Sequence, residues 1–380
     1  MSFLKRNISP AILEASKFFR VIVVSGPRQT GKTTLCKHLF PDYTYYNLED
    51  IALRTSIGED PKRFLASCGQ NVIIDEAQNL PDLFSYIQLT VDNDHSRRFV
   101  LTGSNNLSLM ENITQSLAGR AALFTLLPFA LSETPGEYIK QPTDSILLKG
   151  LFPRVVTEDI PAELFYRNYY STYIERDVRL IRQITDLMRF QHLMKLIAGR
   201  VGSECNMSAL ANETGISSPT VKSWISVLQT SYILTILPPY YTNISKRLSK
   251  SPKIYFIDTG LLCYLLGITT VDQLAIHPLR GAVFENLIVI EMLKNRYNSG
   301  LDSNLYFYRE SSGREVDILQ TVSSQLRLWE VKSSSTYNSE FRRNLDYMKS
   351  LLGDKISDAK IIYDGDTIPP DICNFRQIPD

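Results

Sequence analysis

Residues Gly26-Pro-Arg-Gln-Thr-Gly31-Lys32-Thr33 satisfy the spacing GxxxxGK[ST], and they stand between the apolar run Val21 to Ser25 and a helical stretch beginning TTLCKHLF. A glycine-bearing loop that joins a strand to a helix can wrap its backbone N–H groups around phosphate oxygens. The helix that follows presents its positive end to the same charge. Gly26, Pro27, Arg28, Gln29, Thr30, Gly31, Lys32, Thr33 and Thr34 are therefore expected to line a nucleotide. Lys32 would place a point charge at the β- and γ-phosphates, and Thr33 would offer its hydroxyl to Mg²⁺. The expected fold is α/β, a P-loop nucleoside triphosphatase with a parallel sheet, and the expected ligands are ATP and Mg²⁺.

The strand rhythm agrees. VIVVS, TYYNL, NVIIDEA, RFVLTGS and ALFTLLPF alternate with helical segments between Arg20 and about Phe129, as crossover connections require. Asp75 and Glu76 end the apolar run Val72-Ile-Ile, where a buried strand delivers carboxylates to the sheet edge that carries the phosphates. Asp75 is expected to hold the Mg²⁺, and Glu76 to polarise the attacking water as general base. Thr102, Ser104 or Asn105, at the end of the next apolar run, could sense the γ-phosphate or orient that water; Asn105 is the residue singled out for catalysis.

These motifs, with Leu101-Thr-Gly-Ser, Ser116-Leu-Ala-Gly-Arg, Phe152-Pro-Arg, Tyr255-Phe-Ile-Asp-Thr-Gly-Leu and Glu330-Val-Lys, resemble the prokaryotic AAA-type ATPases that carry a C-terminal domain of unknown function. The resemblance spans nearly the whole chain and implies ATP binding and hydrolysis. AAA-type ATPases place an arginine that reaches a neighbouring subunit's nucleotide between a helix and the strand after it. Arg120, following the helical stretch Leu107 to Ala118, occupies that position, which would make the chain a homo-oligomer; a surface arginine paired within its own chain is the alternative.

At 380 residues the chain exceeds what one core organises, so several domains are expected: 1–130 the ATPase, 131–190 a helical linker or lid, 191–258 a winged helix, 259–380 a nuclease-like module. Arginine and lysine number 41 against 40 acidic residues, so no global charge points to nucleic acid or membrane. The five cysteines lack CxxC spacing, which suggests reduced thiols. The N-terminus lacks a signal-peptide core and no apolar run is long enough to span a bilayer, so a cytoplasmic, membrane-free protein is expected.

Met207 to Leu228 reads as two helices around a turn at Gly215, with Val221, Trp224, Ile225 and Leu228 forming a core stripe. Thr220, Lys222, Ser223 and Ser226 face away from it, and a basic stretch with Lys246, Arg247, Lys250 and Lys253 follows, as in a winged helix with a positive wing. Such a module grips DNA phosphates or docks a protein; a recognition helix with only Lys222 is poor for reading bases. Further on, an amphipathic helix with Glu285, a strand with Asp317, and Glu330-Val-Lys332 occur in the order of the PD-(D/E)xK endonuclease fold. Glu285, Asp317 and Glu330 would hold Mg²⁺ beside Lys332, or the four would form a structural ion cluster.

Two readings remain open. In one, nucleotide state controls a DNA-binding, nuclease-like C-terminal half; in the other, ATP sets the assembly of a regulatory scaffold with an inert nuclease-like fold. A metabolic kinase fits less well, because such kinases need no attached helix-turn-helix.

Overall fold

The computed structural model describes residues 3–104, 116–178, 184, 186–241, 251–310 and 312–378. Asn105, most of the expected 107–118 helix, and the wing residues Lys246, Arg247 and Lys250 lie outside the described residues. The described chain separates into two compact units. The first comprises Met1–Phe129 with Thr230–Tyr232 and Arg296–Leu301, and the second the remaining residues.

In the first unit five strands, β1 (Val21–Ser25), β2 (Thr44–Asn47), β3 (Asn71–Asp75), β4 (Arg98–Gly103) and β5 (Ala121–Thr125), form one parallel sheet in the order β2-β3-β4-β1-β5. All five residues of β1 are buried, which explains a β-branched run without polar alternation: a strand covered on both faces has no wet side. Parity divides the core. Ile22, Val24, Ile73 and Val100 pack on α1 (Ser9–Phe18) and α2 (Lys32–Leu39) through Ile8, Ile12, Leu35 and Cys36. Val21, Val23, Val72, Ile74, Phe99 and Leu101 meet α3 (Ile51–Glu59), α4 (Pro61–Ser67) and α5 (Leu83–Asn93) on the other face. Asp50 and Asp60 start α3 and α4 by accepting first-turn N–H groups.

In the second unit, the rings of Phe165, Tyr166 and Tyr169 pack on Phe152 and are buried, so these aromatic side chains are core. The helices Met207–Thr214 and Ser218–Thr230 enclose Gly215 at φ +66°, with Val221, Trp224, Ile225 and Leu228 buried. An antiparallel pair follows, β6 (Leu234–Leu237) and β7 (Lys253–Phe256). Farther on, β8 (Leu305–Arg309), β9 (Glu315–Val322), β10 (Gln325–Lys332), β11 (Ile356–Tyr363) and β12 (Ile372–Asn374) build a mixed sheet in the order β12-β11-β10-β9-β8. The Arg280–Asn298 helix is buried at Val283, Phe284 and continuously from Asn286 to Lys294, so it is a core helix; the expected amphipathic face is covered by protein. No helix among the described residues is long and apolar enough to cross a membrane.

Candidate functional site

Strand order explains how the first site assembles. The loop after β1 and the acidic end of β3 flank the end of β4, so groups at all three C-terminal edges can meet. The loop coils because Gln29 and Gly31 both take positive φ, +64° and +87°, on either side of the fully buried Thr30. Gly26 lies so close to the chain leaving β5 that any Cβ would overlap Leu126 O. Thr30 Oγ1 donates to Pro27 O at 3.0 Å, and Lys32 Nζ donates to Gly26 O at 3.0 Å and Pro27 O at 2.8 Å. Burial lowers the Lys32 pKa against the opposing pull of Glu76 and Asp75. Thr34 is exposed on the first turn of α2, and Arg28, with Nη2 3.9 Å from Glu49 Oε1, stands at the rim.

Asp75 gathers hydroxyls. Its Oδ2 accepts from Thr33 Oγ1 and from Tyr45 OH, each at 2.7 Å, and its Oδ1 accepts from Thr102. A hydroxyl and a carboxylate in contact at the mouth of a phosphate loop are the hard oxygen donors Mg²⁺ takes when phosphates complete its shell, so the residues fit that ion. Glu76 adopts φ +52°, a left-handed conformation that a non-glycine residue holds only under constraint. The constraint is visible: Glu76 Oε2 accepts from Ser104 Oγ at 3.0 Å, Ser104 N at 3.4 Å and Gln78 Nε2. Of the polar residues singled out at the end of β4, then, Thr102 serves Asp75 and Ser104 serves Glu76.

Arg120 pairs within its own chain, with Nε and Nη2 on the two Asp92 oxygens at 2.6 and 2.8 Å. It precedes β5, whose N-terminal end is the sheet edge opposite the phosphate loop. Three residues escaped the sequence reading. Tyr45 was one of two adjacent tyrosines in β2, and only the pleat decides which faces Asp75. Tyr232 OH lies 2.7 Å from Ser25 Oγ, at the root of the loop, across 207 residues of sequence. Arg6 reaches Thr30 O at 2.9 Å, a contact that nothing in the N-terminal sequence signals.

A second cluster of charge forms in the other unit. Asp317 Oδ2 accepts from Val331 N at 2.8 Å and stands 4.0 Å from Lys332 Nζ, which donates to Glu330 Oε1 at 2.7 Å. Glu330 is 3% exposed, and its Oε2 has no hydrogen-bond partner among the described residues. Glu285 accepts from Lys253 at 3.1 Å and from Tyr255 OH at 2.5 Å; Lys253 also pairs with Glu315. Burial first and the Asp317 charge second push both Glu285 and Glu330 up to about 7. Burial opposes the charge on Lys332, but Asp317 and Glu330 outweigh it and raise its pKa.

Lys253 corrects one expectation. It is 1% exposed and committed to carboxylates, so it supplies no surface charge to a basic wing. Its ammonium occupies Glu285, as the Lys332 ammonium occupies Oε1 of Glu330. Among the described residues, no three Asp, Glu, His or Cys side chains are gathered closely enough to hold a metal as a set. A cleft of about 600 Å³ is lined by Glu330, Lys332, Arg314, Arg343 and Asn344.

Residues 18–134 match the family described as AAA domain, and residues 141–272 and 280–378 match two domains of unknown function, DUF8612 and DUF4143. The chain is 30% identical over 343 residues to the uncharacterized proteins Mb2031c of Mycobacterium bovis and Rv2008c of Mycobacterium tuberculosis, covering 87% of this chain and 74% of each relative. Among solved structures, the Walker-type ATPase PABY2304 of Pyrococcus abyssi superposes with a TM-score of 0.46 at 14% identity, over 69% of this chain and 96% of that one.

Proposed function

The chain belongs to the family of these two mycobacterial proteins, with an AAA domain ahead of two domains of unknown function, and on that premise we propose that it hydrolyses ATP with Mg²⁺ and that its nucleotide state controls a DNA-engaging C-terminal half. One observation carries the hydrolytic reading: Asp75 grips the Thr33 hydroxyl at 2.7 Å while its neighbour Glu76 is held on Ser104.

The triphosphate would lie along the backbone N–H groups of Gln29 to Thr33, with the Lys32 ammonium turning from the Gly26 and Pro27 carbonyls to phosphate oxygens. Thr33 and Asp75 would hold Mg²⁺, which neutralises charge developing on the β- and γ-phosphate oxygens. Glu76, aimed by the Ser104 hydroxyl, would accept the proton of the water that attacks the γ-phosphorus, releasing ADP and phosphate. Arg120 sits at the wrong sheet edge for its own nucleotide, so it would act on a neighbouring copy's, and only after leaving Asp92.

The DNA component draws support from the exposed Lys222 on the second of the paired helices, and from the cleft where Lys332, Arg314 and Arg343 flank Glu330, with Asp317 4.0 Å from the Lys332 ammonium. There two carboxylates would hold a divalent ion against a phosphodiester, and Lys332 would neutralise its charge.

The test is steady-state phosphate release by wild type and the Lys32→Ala, Arg120→Ala and Asp317→Ala variants, with and without duplex and branched DNA. Lys32→Ala should abolish turnover, and Arg120→Ala should impair it only where copies associate. DNA should stimulate wild type, and Asp317→Ala should lose any Mg²⁺-dependent nicking while keeping ATPase activity. No turnover by wild type would sink the hydrolytic reading. Turnover indifferent to every DNA, without binding or nicking, would replace the DNA half with a protein-docking scaffold.

A further inference from the structure

The described loop is held from beneath by a buried arginine that the reaction as outlined does not use. Arg6 stands just before α1 and is 4% exposed. Its Nη1 donates to Thr30 O at 2.9 Å, and its Nη2 donates to Leu127 O at 2.7 Å and Pro128 O at 3.5 Å. The guanidinium carbon lies 4.8 Å from the centre of the Phe129 ring. Its backbone is anchored: Arg6 O accepts from Ser9 N at 3.1 Å, and Ile8 and Ile12 are fully buried beside Leu35 and Cys36 of α2.

The consequence follows from peptide geometry. A trans peptide is planar, so the Thr30 carbonyl and the Gly31 N–H point in opposite directions. With the carbonyl fixed on Arg6, the Gly31 N–H is turned the other way, away from Arg6. Thr30 sits between two residues of positive φ, where a peptide plane can otherwise flip at modest cost. An arginine at this position combines a permanent charge with a fork that holds Thr30 O and Leu127 O together.

We propose that Arg6 is a positioning residue for nucleotide binding: it fixes the Thr30–Gly31 peptide so that its N–H faces the phosphates, and so sets the affinity for polyphosphate rather than the rate of bond cleavage. This rests on the ATP-binding reading of the loop.

The experiment compares full-length wild type with Arg6→Lys and Arg6→Ala, using titration with fluorescent ADP, steady-state ATP hydrolysis and thermal unfolding. Arg6→Lys keeps the charge but cannot bridge two carbonyls in the same geometry. It should unfold within a few degrees of wild type, bind ADP about tenfold or more weakly, and raise KM by a similar factor with kcat nearly unchanged. Low millimolar guanidinium should restore ADP binding to Arg6→Ala but leave wild type unaffected. A folded Arg6→Lys with wild-type ADP affinity and KM would overturn the proposal. So would parallel losses of kcat and thermal midpoint without rescue by guanidinium, which mark a purely structural role. Wild type that binds no ADP would sink the nucleotide reading itself, an outcome distinct from either.

Discussion

Glu76 and Asp75 are neighbours in sequence with unlike surroundings, and the difference assigns their work. Asp75 accepts from three hydroxyls, one of which belongs to the phosphate-loop motif, and is thereby held in place, as the ion-holding role proposed for it requires. Glu76 is held through one oxygen by groups that can let go, on a backbone kept at φ +52°. Glu76→Gln should therefore keep ADP and ATP affinity within a few-fold while kcat falls about 10²- to 10⁴-fold, the span of a lost general base. Isothermal titration and single-turnover hydrolysis check both halves; retained turnover would remove Glu76 from that role. These residues were legible because a strand, a loop and a helix impose contiguous spacing on the phosphate site. Tyr45, Arg6 and Tyr232 were not, because their contacts depend on pleat and on chain segments 30, 24 and 207 residues away.

Among elements, the short Thr259–Leu265 helix, begun by Asp258, is tied through its cap to distant stretches of its unit. That carboxylate accepts from Gly260 N at 2.9 Å and Leu261 N at 3.2 Å, from Tyr166 OH at 2.6 Å, and from Leu151 N at 2.7 Å. One buried side chain thus joins the helix to the aromatic cluster and to the turn after Gly150. Asp258→Asn keeps the shape but replaces an acceptor oxygen with an NH₂ group facing donors. It should cost about 3–5 kcal/mol, read as a lower urea midpoint for the second unit with ADP binding retained. An unchanged midpoint would show that the four bonds contribute little. The sequence drew attention to Tyr255-Phe-Ile-Asp-Thr-Gly-Leu, but not to this role, because two of the four donors, Tyr166 OH and Leu151 N, are brought in by packing and not by a local pattern. Strands β1, β3 and β4 were plain in advance, since apolar β-branched runs leave few alternatives. The Arg280–Asn298 helix misled because its polar residues Asn286, Glu291 and Lys294 find buried partners, so polarity there does not mark a wet face.

At the scale of the molecule, the sequence suggested a linear series of modules, whereas the first compact unit draws on Thr230–Tyr232 and Arg296–Leu301 as well as the N-terminal stretch. No composition shift marks such returns of the chain. Charge is likewise distributed in a way that the near-neutral total hides: Glu285, Glu315, Asp317 and Glu330 share a cluster with Lys253 and Lys332, bordered by Tyr255 and Asn344. Glu285 and Glu330, at about 7 in the folded protein against an ordinary 4.5, bind protons more tightly when folded than when unfolded. Their contribution to stability is therefore complete below about pH 4.5, declines between 4.5 and 7, and stays lost above. In metal-free buffer, the stability difference between Glu330→Gln and wild type should shift in favour of the variant as pH rises across that window. A cation bound by Asp317 and Glu330 would take over the role of the proton, so millimolar Mg²⁺ should restore wild type near pH 7.5 and leave the variant where it was. Urea titrations at pH 5 and 7.5, with chelator or Mg²⁺, separate the two uses of the cluster. A pH-dependent gap that Mg²⁺ does not close would make it a structural ion network, neutralised by Lys253, Lys332 and, through Glu315, Arg309. A gap that Mg²⁺ closes gives the metal reading a readout that needs no substrate.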